Sequence, residues 1–173
     1  MKTAQLLQLF CSCILLYPTA ADPTFYWSSY KIGNLLPPNS YQPEKDLYVA
    51  RILVNGEEIP AGFDYFSRQA VAENNGRKIT KNVFSLLCES FPEDLYWKKV
   101  NVNSLTEDFL KNAIIGGYQR NITLYIGKVH HGGRWQIGKV FRPKNKLEGL
   151  VLPSDDGKSY VAKDFEILMY NYD

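Results

Sequence analysis

From residue 23 onward, apolar positions come in short runs broken by Gly, Asn, Asp and Pro. The runs are too short for amphipathic helices and suit strands of a β protein. Residues 47–54 form one run, Leu-Tyr-Val-Ala-Arg-Ile-Leu-Val, and Asn55-Gly56 after it is a two-residue hairpin signal. Ile59-Pro60-Ala61-Gly62-Phe63 returns, and Pro60, which lacks an N–H, predicts an edge strand or a bulge there. Gln69-Ala70-Val71-Ala72 follows, then a turn at Asn74-Asn75-Gly76 and a run over 83–88. The second half follows the same plan: a strand over 124–129, a turn at His130-His131-Gly132-Gly133, a return over 135–141, strands at 150–152 and 165–170, and a turn at Ser154-Asp155-Asp156-Gly157. Residues 90–117 read as a linker holding a short helix, with Ser104 as N-cap and Glu107 completing a capping box.

The two halves match at a spacing of 77 residues. Leu47-Tyr48-Val49-Ala50-Arg51-Ile52 falls on Leu124-Tyr125-Ile126-Gly127-Lys128-Val129, Tyr41-Gln42 on Tyr118-Gln119, and Gly56 on Gly133. Phe84 and Leu87 fall on Phe165 and Leu168 at a spacing of 81, so the second copy has four extra residues before its last strand. The expected fold class is all-β: two tandem repeats forming sandwich-like halves with pseudo-twofold symmetry. The repeats span 25–95 and 96–173.

Residues 1–21 read as a secretory leader, with Lys2, an apolar stretch from Leu6 to Leu16, and Thr19-Ala20-Ala21 at the cleavage spacing. The apolar stretch is too short for a membrane span, so a secreted, extracellular protein is expected. Cys11 and Cys13 lie in the leader, which leaves Cys88. It reads as a small buried group, the alternative being an intermolecular disulfide. The 173-residue chain is 45% hydrophobic, enough for a packed core, and its net charge of +2 without a basic run argues against a nucleic-acid partner. An unpaired sheet edge in the first copy offers a surface for a homodimer.

Gly116-Gly117-Tyr118, then 124–133, Gly138-Lys139-Val140, Asp156-Gly157-Lys158 and Phe165-Glu166-Ile167-Leu168 resemble a DM9 repeat. The family pattern runs Gly-Gly-Tyr-Asp, Tyr-Val-Gly-Arg-Ala-x-His-x-Gly, Gly-Lys-Val, Gly-Gly-Lys-Glu-His and Tyr-Glu-Val-Leu. The first copy keeps the Leu47–Arg51 strand and little else. The resemblance implies a tandem-repeat β protein and, as in some relatives, a lectin of innate immunity that binds mannose-type glycans. It also implies a site at Lys139 and Gln119. The family's acidic residue is Gln119 here, and its lysine is Gly62 in the first copy. The first site is therefore expected to be lost and the second weakened. Gln119→Asp is expected to strengthen binding by restoring a charged acceptor.

Tyr118 and Trp135 are the candidate apolar walls for a sugar ring. The alternative for Lys139 is a solvated strand end, and for Trp135 a place in the core. Asn121-Ile122-Thr123 is the chain's one glycosylation sequon. A glycan on Asn121 would crowd the proposed site. His130 and His131, adjacent on a strand, point to opposite faces and cannot easily share a metal ion. No cofactor motif and no nucleophile elbow occurs, so the expectation is a binding protein, either a lectin or a structural or protein-interaction protein, and not an enzyme.

Overall fold

A computed structural model describes residues 23–141, 149–154, 156 and 158–172. The expected leader, and Asp155 and Gly157 of the last predicted turn, lie outside the described residues. The strands are β1 (Tyr26–Lys31), β2 (Leu47–Val54), β3 (Glu57–Asp64), β4 (Gln69–Asn74), β5 (Arg77–Lys81), β6 (Val83–Cys88), β7 (Leu95–Asn101), β8 (Ile115–Gln119), β9 (Ile122–His131), β10 (Arg134–Phe141), β11 (Gly149–Pro153), β12 (Ser159–Ala162) and β13 (Asp164–Tyr170). Among the described residues one α-helical turn, α1 (Glu107–Leu110), interrupts them. The protein is all-β, as the run lengths require, and every strand pair is antiparallel.

The pairing order is the same in both halves. β1-β6-β2-β3-β4-β5 in the first corresponds to β7-β13-β9-β10-β11-β12 in the second. β8 lies between β3 and β9 and joins the halves into one hydrogen-bonded network. β10 also packs across β3 and β4, and β11 against β4. The core is correspondingly shared: Leu47, Val49 and Leu87 cluster with Ile114, Ile126, Ile137 and Leu168.

The tight turns follow from residues that tolerate a left-handed backbone. Asn55-Gly56 (φ 50° and 80°), Asn75-Gly76 (52° and 82°) and Gly132-Gly133 (61° and 78°) each have two positive φ values, matching the right-handed strand twist. His130 and His131 belong to β9, and only the glycines turn. His131 stacks on Tyr160 with centroids 3.9 Å apart, while His130 meets the edge of Trp135 at 5.5 Å.

Three local expectations change. β3 is neither an edge nor bulged at Pro60, which pairs with Arg51 in register. Counting from the hairpin, Pro60 is in a non-hydrogen-bonded pair, so the missing N–H faces away from β2. There the outer side of β3 passes from β8, paired at Glu58, to β4, paired from Gly62, and no ladder bond is lost. The region 90–117 is no linker, because β7 lies within it and β8 begins in it. The helix starts two residues late, capped by Thr106, whose Oγ1 accepts from the Phe109 amide at 3.1 Å. Ser104 instead donates its hydroxyl to the Asn101 carbonyl at 2.7 Å.

Candidate functional site

Lys139 and Gln119 meet. β10 places Lys139 opposite Val151 on β11, and β8 ends at Gln119. Lys139 Nζ donates to Gln119 Oε1 at 2.6 Å. It also pairs with Glu73 Oε2 at 2.6 Å. Glu73 comes from β4, in the other half of the chain, and was not foreseen. Lys139 is 4% exposed and Glu73 3%, which makes this a buried ion pair rather than a solvated strand end.

The rest of the network fixes these two groups. Glu73 Oε1 accepts from the Ser159 hydroxyl at 3.0 Å and from the Gly76 amide in the β4–β5 turn. Gln119 Nε2 donates to Asn74 Oδ1 at 2.6 Å and Glu57 Oε2 at 3.3 Å. Both amide hydrogens of Gln119 are thereby used, which also fixes its orientation. Glu57 Oε1 receives the Arg120 amide at 3.0 Å, and the Arg120 guanidinium donates to Asn75 Oδ1 at 2.6 Å.

This network is the floor of an open cleft of about 560 Å³. Ile122, Leu124, Phe141, Val151 and Val161 make its apolar wall. The Lys139 ammonium lies 5.8 Å from the centre of the Phe141 ring.

The structure does not bring Tyr118 or Trp135 to this cleft. Tyr118 neighbours Gln119 on β8, so strand alternation sends it to the other face, where it is 50% exposed and paired opposite Glu58. Trp135, four residues before Lys139, covers Lys128, whose ammonium is 4.5 Å from its ring centre and 4.8 Å from that of Trp97. Lys128 is also paired with Glu44 at 2.5 Å and Glu166 at 3.3 Å, a second buried cation that ties β9 to the first half. The same place in the first half holds Arg51, 4.6 Å over Trp27 and paired with Glu58 at 2.8 Å. Burial lowers the pKa of Arg51, and Glu58 opposes that shift.

Asn121 is exposed in the β8–β9 turn, with φ of 60° following Arg120 at 51°. Its neighbours Arg120 and Ile122 line the cleft.

The first half has a matching but altered cleft of about 150 Å³, lined by Leu47, Gly62, Asp64, Val71, Lys78 and, from the second half, Trp135, Ile137 and Pro153. Val71 faces Gly62 as Val151 faces Lys139. Gly62 therefore stands where Lys139 does, and Pro153 where Glu73 does. A Cβ on Gly62 would lie 3.2 Å from Leu47 Cδ1, so a longer side chain needs Leu47 to move. Gln42 is not the counterpart of Gln119. Tyr41 N bonds to Leu87 O and Ile114 N to Leu168 O, at 2.8 and 3.0 Å, which makes Tyr41 equivalent to Ile114. β8 is then additional chain in the second half.

Among the described residues no helix is long and apolar enough to cross a membrane. No curated protein sequence matches the chain. The crystal structure of the nematode sperm cell motility protein MFP2B is similar, with a TM-score of 0.60 at 15% identity. The likeness covers 88% of this chain and 46% of that protein, so this chain spans about half its length, and at this identity it concerns the fold alone. The model of the DM9 repeat family matches residues 42–153, from just before β2 to the close of β11. The chain belongs to the DM9 repeat family.

Proposed function

We propose that this protein is a secreted carbohydrate-binding recognition protein and that its site is the cleft above Lys139 and Glu73. The carrying observation is the buried, cross-half ion pair at the floor of an open cleft with an apolar wall. An ammonium has three donors, and Glu73 and Gln119 take two. The third, together with the free lone pairs of Glu73, offers one donor and one acceptor side by side. A vicinal diol of a neutral sugar needs that pair, and charge-assisted bonds to it are the strong kind. Gln119 is a positioning residue here, because its amide is spent on Asn74 and Glu57. The ring-covering role expected of Tyr118 or Trp135 passes to Phe141. No step of bond making is assigned to the site, whose cation and carboxylate are held by each other.

The test is titration of mannose-type sugars into the secreted protein. Binding is expected in the wild type and lost in the charge-neutral pair Lys139→Met with Glu73→Gln, and Gln42→Ala should leave it unchanged. No binding by the wild type, nor by protein freed of glycan at Asn121, overturns the proposal. The same fold would then serve as a structural or protein-interaction protein, a reading favoured by how much of the bonding capacity of Glu73, Gln119 and Lys139 is already used within their own network.

A further inference from the structure

Glu89, just past β6, is 2% exposed. Its Oε1 accepts from the Thr24 hydroxyl at 2.5 Å and from the Phe91 amide at 2.9 Å. Its Oε2 has no hydrogen-bond partner, the one such buried side-chain nitrogen or oxygen among the described residues. Asp94 approaches the same place: the Tyr170 hydroxyl donates to Asp94 Oδ2 at 3.5 Å, accepts from the Thr24 amide at 3.1 Å and contacts the Thr24 hydroxyl at 3.3 Å. Two carboxylates thus converge on Thr24 and Tyr170, and among the described residues neither has an ion-pair partner. The other fully buried ionised groups, Glu73, Lys128 and Lys139, are all paired. A buried carboxylate oxygen without a donor is costly, and an adjacent ammonium is the group that removes the cost.

The chain itself can supply one. Thr24, which already touches Glu89, is two residues after Asp22. Two residues of chain span at most about 7 Å. The leader is expected to end at Ala21. Hydrolysis of the Ala21–Asp22 peptide bond by a leader peptidase adds water across it. The carboxylate stays on Ala21, and Asp22 acquires a primary α-ammonium in place of an uncharged amide. Pro23 restricts the intervening backbone and lowers the entropy lost on docking.

We propose that Glu89 is a binding site for a primary ammonium and that its ligand is the α-ammonium of Asp22, created when the leader is removed. The proposal rests on the leader being cleaved at that bond. Leader removal then completes the fold as well as releasing it: the processed chain gains an ion pair that the unprocessed chain cannot form.

The test secretes the full chain from a eukaryotic host in two versions, the natural one and one with Gly-Gly inserted after Ala21, each with and without Glu89→Gln. N-terminal sequencing reads the cleavage point. The insertion is expected to lower Tm by about 5 °C or more, as is Glu89→Gln, with no further loss when the two are combined. Reductive methylation of the α-amine at neutral pH is expected to be about tenfold slower in the natural chain, because an ion-paired amine is less often unprotonated. This second readout needs no Glu89 variant and stands if that variant fails to fold. A mature start other than Asp22 overturns the leader reading and with it the natural ligand. A start at Asp22 with an unchanged Tm on insertion, additive losses, or equal methylation rates overturns the Glu89 site alone.

Discussion

Lys139 Nζ lies 2.6 Å from Glu73 Oε2, and these two residues, 66 apart in sequence, belong to β10 and β4. Each half of the chain contributes one charge, and neither charge has enough water around it to stand alone. Lys139→Met is therefore expected to cost about 3–5 kcal/mol of stability, because Glu73 is left buried and uncompensated. Adding Glu73→Gln should restore most of that loss. Urea unfolding of the two single variants and the double variant checks this; equal losses that simply add would mean the pair is not coupled.

Gln119→Asp is expected to weaken sugar binding, on the order of ten- to a hundredfold. That is the reverse of what the family pattern suggested. Gln119 Nε2 donates to Asn74 and Glu57. A carboxylate there removes both donations and adds a negative charge beside Glu57, and losing hydrogen bonds to charged groups costs roughly 1.5–3 kcal/mol. Calorimetric titration against the wild type decides between the two signs.

Gly117→Ala should destabilise the protein severely, by about 3 kcal/mol or more, and reduce sugar binding with it. Gly117 has φ of 153°, and a Cβ there would collide with the Glu58 carbonyl. That collision pushes β8 off β3, which separates Gln119 from Glu57. Circular dichroism melts and titration of the same sample should show both effects together; a wild-type Tm would sink the prediction.

Trp135→Ala is expected to leave sugar binding within about twofold of wild type while costing about 3–5 kcal/mol in stability. The indole covers Lys128 and packs with the shared core, and it does not line the Lys139 cleft. A selective loss of binding at unchanged stability would return Trp135 to the site.

Cys88 should resist alkylation in the folded protein at pH 8 and react on unfolding, and non-reducing electrophoresis should show monomer. The side chain is fully buried, and burial raises its thiol pKa, so little nucleophilic thiolate forms at that pH. Labelling as fast in native protein as in denatured protein would contradict this.

The strands that carry apolar runs were legible, and so were the turns at Asn55-Gly56, Asn75-Gly76 and Gly132-Gly133, because Asn and Gly take up positive φ at little or no steric cost. β5 was not, since Arg77-Lys78-Ile79-Thr80-Lys81 pairs with β4 through its backbone and leaves its side chains mostly in water. Lys139 and Gln119 were found through a family motif. Glu73 was not, because its partner is distant in sequence and Ala72-Glu73-Asn74 reads locally as the approach to a turn. Tyr118 could have been excluded from sequence: the alternation that separates His130 from His131 equally separates Tyr118 from Gln119. Trp135 and Lys139 share a strand side by count, and only the packing of β7 and β13 against β9 reveals that Trp135 serves Lys128.

The β4–β5 turn and the β10–β11 pair face each other across the cleft without being covalent neighbours. Anything gripping both sides acts as a rivet through the joint between the halves. A sugar that binds only the closed joint must raise the unfolding temperature of the whole molecule, by an amount set by its concentration relative to Kd. Affinity too weak for direct titration would still be legible as heat resistance, and a screen of glycans by melting temperature tests the proposed binding without foreknowledge of the sugar.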